Sequence, residues 1–466
     1  MNKHELICYN TDASRLVGES DVVFFPKNVA EVQAIVKEIE SDIVIRGAGT
    51  GLEGGCVPQK SPVIDLCKMN KILDFSPSKL QVKVETGATI KELNEKLKKA
   101  NLEFPVYSSE NEISTIGGIA ALNSPGLRSM KYGNVKDWIE EIEFVNGKGE
   151  LVKTTKADLM DVCGMEGITG IIVSVKFRVI PLIERSASVF QTDNLSEIFL
   201  IGRRIRSEKE VSMLRLFSKD VSKLMGFPEK YHLIVEFDSY RGKIKGEEYD
   251  KLIKKLNSIG KTLISEGYYN SEDPRMFFDK LREFVNFLEV NNVPYFGDLG
   301  TGIIYAFFKD FEKNKRNVVR AVMKKLRAKL GNYGVGIMRK EFVDGFDAKI
   351  IQRVKLRYDP KNKLNKGKMI DVDFSVGKND DSEAKRKEEI KKEIKNIILK
   401  EKKTSLEKSP EKTSIIEKEA VNQTPANSHH NNSNKEDRDL INSIMTNNRK
   451  NNNLNNKDGK NEQSGN

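Results

Sequence analysis

Three clusters of glycine and small hydroxyl residues hold the residue types that can do chemistry here. The first is Arg46, Gly47, Ala48, Gly49, Thr50, Gly51, Leu52, Glu53, Gly54 and Gly55, directly after the apolar run Ile43, Val44, Ile45. Glycine at this density suits turns with positive φ and lets backbone N–H groups close on an anion with no Cβ in the way. Arg46 adds a fixed positive charge beside that cradle. The chemistry predicted is diphosphate binding, with a ligand-free glycine-rich hairpin as the alternative. The spacing matches neither the lysine-bearing triphosphate loop nor the strict dinucleotide fingerprint, and no helical pattern follows it. That argues against a nucleoside triphosphate and against a Rossmann-bound nicotinamide. The second cluster covers residues 114–126, with Thr115, Gly117, Gly118, Asn123 and Gly126, and is followed by Tyr132 and Gly133. The third covers residues 164–170, with Glu166 and Gly167. Each alone reads as tight turns. Three on one scaffold argue for a single extended ligand wrapped by several loops.

The elements that must position these loops alternate. Residues 22–25 read as a strand, Asn28 as the cap of a helix with Val29, Val32, Ile35, Val36 and Ile39 on one face, and residues 42–45 as a second strand. Residues 63–66 and 79–85 are strand-like, and Thr89 caps a helix over 90–100. Residues 139–145 and 151–154 pair through the turn Asn146, Gly147, Lys148, Gly149, and 171–179 form an alternating strand. Beyond Pro181 the glycine clusters stop. Helices are expected over 195–206, 247–266, 274–289 and 310–329, with strands over 214–217, 232–237 and 302–308.

With 466 residues the chain has room for two or three domains. Its net charge of +11 comes from lysine interleaved with glutamate along the whole length rather than from an arginine- and aromatic-rich block, so nucleic-acid binding is not the expected role. Four cysteines, Cys8, Cys56, Cys67 and Cys163, have no zinc or iron–sulfur spacing and fit a reducing compartment. No signal-like N-terminus and no long apolar run stand in the sequence, so the expectation is a cytoplasmic protein with at most peripheral membrane contact.

In order along the chain, Thr11, Asp12, Ala13 and Ser14, the 46–55 loop, the 115–126 stretch, Lys131, Tyr132 and Gly133, and the 164–170 cluster resemble FAD-binding proteins of the vanillyl-alcohol-oxidase/PCMH type. Within that superfamily they look like the glycolate oxidase and D-lactate dehydrogenase group, whose C-terminal signature is similar to residues 358–368 here. The resemblance implies an α+β chain: a two-subdomain FAD-binding domain (1–183), a shortened ferredoxin-like cap (184–350) and a segment returning to the flavin (351–375). It implies that Arg46, Gly47, Ala48, Gly49, Thr50, Gly51, Thr115, Gly117 and Gly118 hold the pyrophosphate. Asn123, Gly126, Tyr132 and Gly133 would line the flavin, Glu166, Gly167 and Ile172 the ribose and adenine end, and Asn365 would return to the flavin. Met165 and Ile168 depart from the family pattern. Thr50 stands where covalently flavinylated relatives carry histidine, and no cysteine lies in 105–116, so the implied FAD is non-covalent.

The substrate side departs further. The group's first histidine motif resembles residues 297–305, where its histidines are replaced by Asp298 and Tyr305. Its second resembles 331–336, with Asn332 and Tyr333 in place of Glu and His. No metal site is therefore expected, and any activity should not depend on divalent metal. Arg282 resembles the family arginine that meets a substrate carboxylate, with a solvated helix arginine as the alternative; Tyr305, Tyr333 and Arg339 are candidate proton donors or orienters. The reading is an FAD-dependent dehydrogenase acting on a small 2-hydroxy acid or similar CH–OH donor, passing electrons to an acceptor subunit, quinone or cytochrome. A companion flavin-binding subunit without catalysis is the alternative. Residues 383–402 read as a charged helix, and residues 376–466 as a charged, asparagine-rich disordered tail.

Overall fold

Asn28 starts the first long helix: its side chain accepts from the Glu31 N–H, and Val29–Glu38 follows, burying Val32 and Val36. Thr89 and Glu92 cap each other ahead of Ile90–Lys98, which buries Ile90, Leu93 and Leu97. The computed structural model describes residues 3–106 and 112–374. Met1–Val372 is one unit and Asp373–Asn466 another; every element below belongs to the first. The expected 383–402 helix and asparagine-rich tail lie outside the described residues, as does part of the 105–116 stretch.

The architecture is mixed α+β. Val23–Phe24, Val63–Asp65 and Val44–Arg46 form a parallel three-stranded sheet with Val63–Asp65 in the middle. An antiparallel sheet runs in the order Ile72–Ser76, Gln81–Glu85, Ile171–Arg178, Ile139–Val145, Leu151–Lys153. Val82, Val84, Phe144, Val175 and Phe177 of this sheet pack on Leu93 and Leu97 of the Ile90–Lys98 helix. Past Pro181 comes a larger antiparallel sheet whose central strands are ordered Ser186–Thr192, Tyr231–Phe237, Val211–Phe217, Tyr295–Asp298, Ile303–Phe308. Both of its faces are covered. Leu214, Leu216, Leu281 and Phe284 pack on one side, and Met213, Phe217, Phe296, Phe307, Leu256 and Leu263 on the other.

Several expected helices are differently bounded. The 247–266 helix is two, Gly246–Asn257 and Ile259–Ser265, broken at Ser258, whose hydroxyl donates to the Lys255 carbonyl. Pro274 does not open a helix. It pairs with Leu330 in a short strand, just after Glu272 and Asp273, which are ion-paired to Arg316 and to the buried Arg339, and the helix Phe278–Val290 begins four residues later. The 310–329 helix ends at Lys325, and Lys329–Leu330 is the strand that partners Pro274–Arg275. The helix Gly345–Tyr358, capped by Asp344, escapes a periodicity search because its buried face is Gln352, Lys355 and Tyr358.

That helix launches a segment stitched back onto the first sheet. Ile43 N–H donates to the Lys363 carbonyl and Asn365 N–H to the Ile43 carbonyl. Lys355 Nζ donates to the Ile168 and Leu364 carbonyls, and Lys368 Nζ to that of Gly55. Each buried ammonium thus has oxygen partners, without which its burial would be costly. Among the described residues no helix is long and apolar enough to cross a membrane.

Candidate functional site

A cavity of about 540 Å³ is walled by all three glycine clusters. Gly47, Ala48, Gly49, Thr50 and Gly51 line it from the first, Thr115, Gly117 and Gly118 from the second, and Glu166, Gly167 and Ile172 from the third side, with Asn365 beside them. Phe296, Phe307, Tyr333, Tyr268 and Lys261 close it from the large sheet and its connections. Among the described residues the N–H groups of Gly47 to Gly51 donate to no backbone carbonyl, so they remain available to a ligand's oxygens. The glycines divide by role. A Cβ on Gly47 would run into Thr115 Oγ1 and one on Gly117 into Thr86 Oγ1, so these two let the loops pack on each other. A Cβ on Gly51 has nothing nearer than Asp12 Oδ2 at 3.9 Å; it would stand in the open space beside the loop.

Five expected flavin contacts are not on this wall. Arg46 turns behind its loop, where Nη1 donates to the Thr11 carbonyl at 2.7 Å and the guanidinium lies over the Tyr9 ring. Asn123 caps the helix Ile116–Leu122 in the left-handed region, and its Oδ1 accepts from Lys136 N–H. Gly133 holds a turn at φ 73° against Asp137. Tyr132 donates its hydroxyl to Asp238, which also pairs with Lys131 and Arg185, so the tyrosine joins the loop to the large sheet instead. Gly126 faces a separate small recess. Ser124 and Pro125, between Asn123 and Gly126, do reach the cavity.

The four residues singled out on the substrate side scatter. Arg282 is exposed, because its helix buries Leu281, Phe284, Val285 and Leu288 and turns position 282 outward, where it donates to Ser196 Oγ at 3.0 Å. Tyr333 is on the cavity wall and Tyr305 on the recess, their rings 5.5 Å apart. Arg339 is fully buried among Glu53, Glu272 and Asp273 and lines neither space. Burial pushes the Glu53 carboxyl up to about 8 against the pull of Arg339, with Asp273 and Glu272 adding to the rise. Glu272 is also opposed by burial, yet Arg339, Arg316 and Arg320 hold it below the usual range. His232 is a core residue, its Nδ1 within bonding distance of Ser222 Oγ and the Lys230 carbonyl, and no histidine lines the cavity among the described residues.

Three charged residues of this region were not singled out from sequence: Glu53, a carboxylate inside the glycine loop and on the cavity wall, Lys261, also on that wall, and Arg215, on the small recess. The available signal for Arg215 was one charge inside an apolar strand run, Leu214, Arg215, Leu216, Phe217. Asp298, opposite it, is raised to about 6 by burial, with Arg215 opposing the rise.

Residues 20–155 match the family model described as FAD binding domain. This part of the chain is an FAD-binding domain. The FAD-binding domain supplies the Gly47–Gly51 and Thr115–Gly118 walls, while Glu166, Gly167, Ile172 and Asn365 come from outside the matched range. Open N–H groups on glycine loops, with no side chain filling the space before them, fit a dinucleotide's phosphates. The chain is 31% identical over 189 residues to glycolate oxidase subunit GlcD of Bacillus subtilis, covering 38% of this chain and 40% of that protein. It is 30% identical over 169 residues to D-2-hydroxyglutarate dehydrogenase of Xanthomonas citri pv. viticola, covering 34% and 36%. The chain thus spans about two fifths of the length of these relatives. A longer match, 24% over 418 residues, covers 76% of this chain and 92% of a D-lactate dehydrogenase of Archaeoglobus fulgidus. Among solved structures, an alkyldihydroxyacetonephosphate synthase superposes with a TM-score of 0.57 at 17% identity, covering 75% of this chain and 76% of that one; this likeness is one of fold.

Proposed function

We propose that the chain is an FAD-dependent dehydrogenase that oxidises the CH–OH group of a small 2-hydroxy acid and passes the electrons to a separate acceptor. The observation that carries this reading is one cavity shared by the FAD-binding loops and by an aromatic and polar wall from the large sheet, Phe296, Phe307, Asn332 and Tyr333. FAD supplies the two-electron acceptor. The loop N–H groups of Gly47 to Gly51 would take the pyrophosphate, with Thr115, Gly117 and Gly118 across from them. Glu166, Gly167 and Ile172 would meet the ribose and adenine, and Asn365 would brace the far wall. Thr50, whose hydroxyl is 3.1 Å from Ser114 Oγ, offers no nucleophilic ring nitrogen, so the attachment is non-covalent. In this reading residues 1–183 are the flavin domain, 184–350 a ferredoxin-like cap, and 351–375 the returning segment. The protein works in the cytoplasm beside an acceptor subunit, quinone or cytochrome. The named activities of the relatives, on glycolate, D-lactate and D-2-hydroxyglutarate, support the substrate class.

A second reading, a flavin-binding subunit without its own catalysis, draws on the absence of histidine from the cavity wall among the described residues. Anaerobic titration of the purified holoprotein with 2-hydroxy acids separates the two. Bleaching of the flavin band supports the first; an FAD-loaded protein that no 2-hydroxy acid bleaches supports the second.

A further inference from the structure

Gly260 lies in the helix Ile259–Ser265, yet neither backbone strain nor crowding calls for glycine there. Its φ is not positive, and a Cβ at this position would meet nothing within 4 Å. Glycine is among the least favourable residues in a helix, so such a position is expected to carry a side chain. The open space in front of it belongs to the large cavity, which Gly260 lines. Asn257, Lys261 and Ile264 line it too, at the helical spacing that sets them beside Gly260 on one face. Leu256 and Ile259 hold the opposite face on the large sheet.

Of the charges on the cavity wall, one is uncommitted. The two carboxylates are engaged with the protein: Glu53 faces Arg339, and Glu166 accepts from Val335 N–H at 2.6 Å and Gly336 N–H at 2.8 Å. Lys261 is the only cation lining the cavity among the described residues, and none of them pairs with it. The wall on this side is otherwise mainly aliphatic and aromatic, with Leu263, Ile264, Tyr268, Phe296 and Phe307. Ile264 is 55% exposed, an apolar side chain that no protein group covers fully.

We propose that the face around Gly260 and Lys261 selects the substrate, a 2-hydroxy monocarboxylate with an aryl or branched apolar side chain. Its carboxylate meets Lys261 and its side chain crosses Gly260 toward Ile264 and Tyr268. The inference rests on the dehydrogenase reading above and narrows its substrate class. One ammonium neutralises one carboxylate. A second carboxylate brought against the aromatic wall would lose water and gain no cation. An acid with no side chain covers none of the apolar surface, so it forgoes that gain. The missing Cβ lets a flat group lie close to the helix backbone.

The test uses the full-length holoprotein in anaerobic stopped flow, reading the acid concentration that gives half the maximal rate of flavin bleaching. The acids are 3-phenyllactate, lactate, glycolate and 2-hydroxyglutarate, each as the racemate. In wild type 3-phenyllactate should half-saturate at a concentration at least tenfold below that of glycolate and of 2-hydroxyglutarate. Gly260→Leu should bring the phenyllactate and glycolate values within twofold of each other, with a melting temperature no lower than wild type. If it does not fold, Gly260→Ala, which adds only the Cβ, should narrow the same ratio at least threefold. Lys261→Met keeps the stem and removes the charge. It should raise the half-saturating concentration of every monocarboxylate tenfold or more while changing the maximal rate less, and Lys261→Arg should restore part of the loss. Flavin content should match wild type in all four variants. A wild type that favours glycolate or 2-hydroxyglutarate, a phenyllactate ratio unmoved by Gly260 substitution, or flavin lost from Lys261→Met overturns the inference. Failure of the underlying reading looks different: an FAD-loaded protein that none of the four acids bleaches, which removes both.

Discussion

Arg339 Nε stands 2.9 Å from Glu53 Oε1, and both side chains are shut away from solvent. The contact ties the glycine loop to the segment following Gly331. The Glu53 backbone carbonyl reinforces it by accepting from Ile337 N–H at 2.8 Å. One arginine thus faces three carboxylates, Glu53, Glu272 and Asp273, at the junction of the glycine loop and the large sheet.

Arg339→Leu should be among the most damaging single substitutions. It leaves buried carboxylates without their cation, a loss of about 3–5 kcal/mol for a broken buried pair. Chemical denaturation should show the loss, and FAD content should fall with it because Glu53 positions the loop. A variant as stable as wild type would mean that Arg316 and Arg320 suffice for the cluster.

Glu53 gives stability a pH dependence. Its carboxyl moves from 4.5 to about 8 in the folded protein, so between those values the folded state holds a proton that the unfolded chain has released. The contribution is therefore fully present at acid pH and is lost as pH rises through that window. Glu53→Gln should flatten the fall in unfolding free energy between pH 5 and about 8. An identical slope in the variant would assign the titration to another group.

Flavin should leave with acid. Thr50 offers no linking nitrogen, and its hydroxyl is occupied with Ser114. Trichloroacetic acid precipitation should put the yellow colour in the supernatant; colour retained on the washed pellet would contradict non-covalent binding.

Gly51 and Gly117 should fail in different ways. Gly117→Val drives its Cβ into Thr86 and should lower the melting temperature even without cofactor. The Cβ of Gly51→Val has nothing nearer than Asp12 Oδ2 at 3.9 Å and no positive φ to strain, so the apoprotein should melt close to wild type. Its side chain should instead cut the flavin-to-protein absorbance ratio. Equal FAD loading in Gly51→Val would place the cofactor away from this loop.

The sequence by itself determined the glycine-rich loops, the caps at Asn28 and Thr89, and the strands that precede them. These are local signals: a glycine string, a capping side chain and an alternation of apolar residues act through neighbours in the chain. The tertiary structure alone decided which residues share a site. Arg282 looked like a substrate ligand, yet the apolar face of its own helix turns it outward. Arg46 and Tyr132 looked like cofactor contacts, yet the carbonyl of Thr11 and the carboxylate of Asp238 claim them. Arg215 and Asp298 are 83 positions apart and meet because Val211–Phe217 and Tyr295–Asp298 pair in register. Strand pairing and burial are long-range, and a buried charge takes its meaning from the partner it does or does not find.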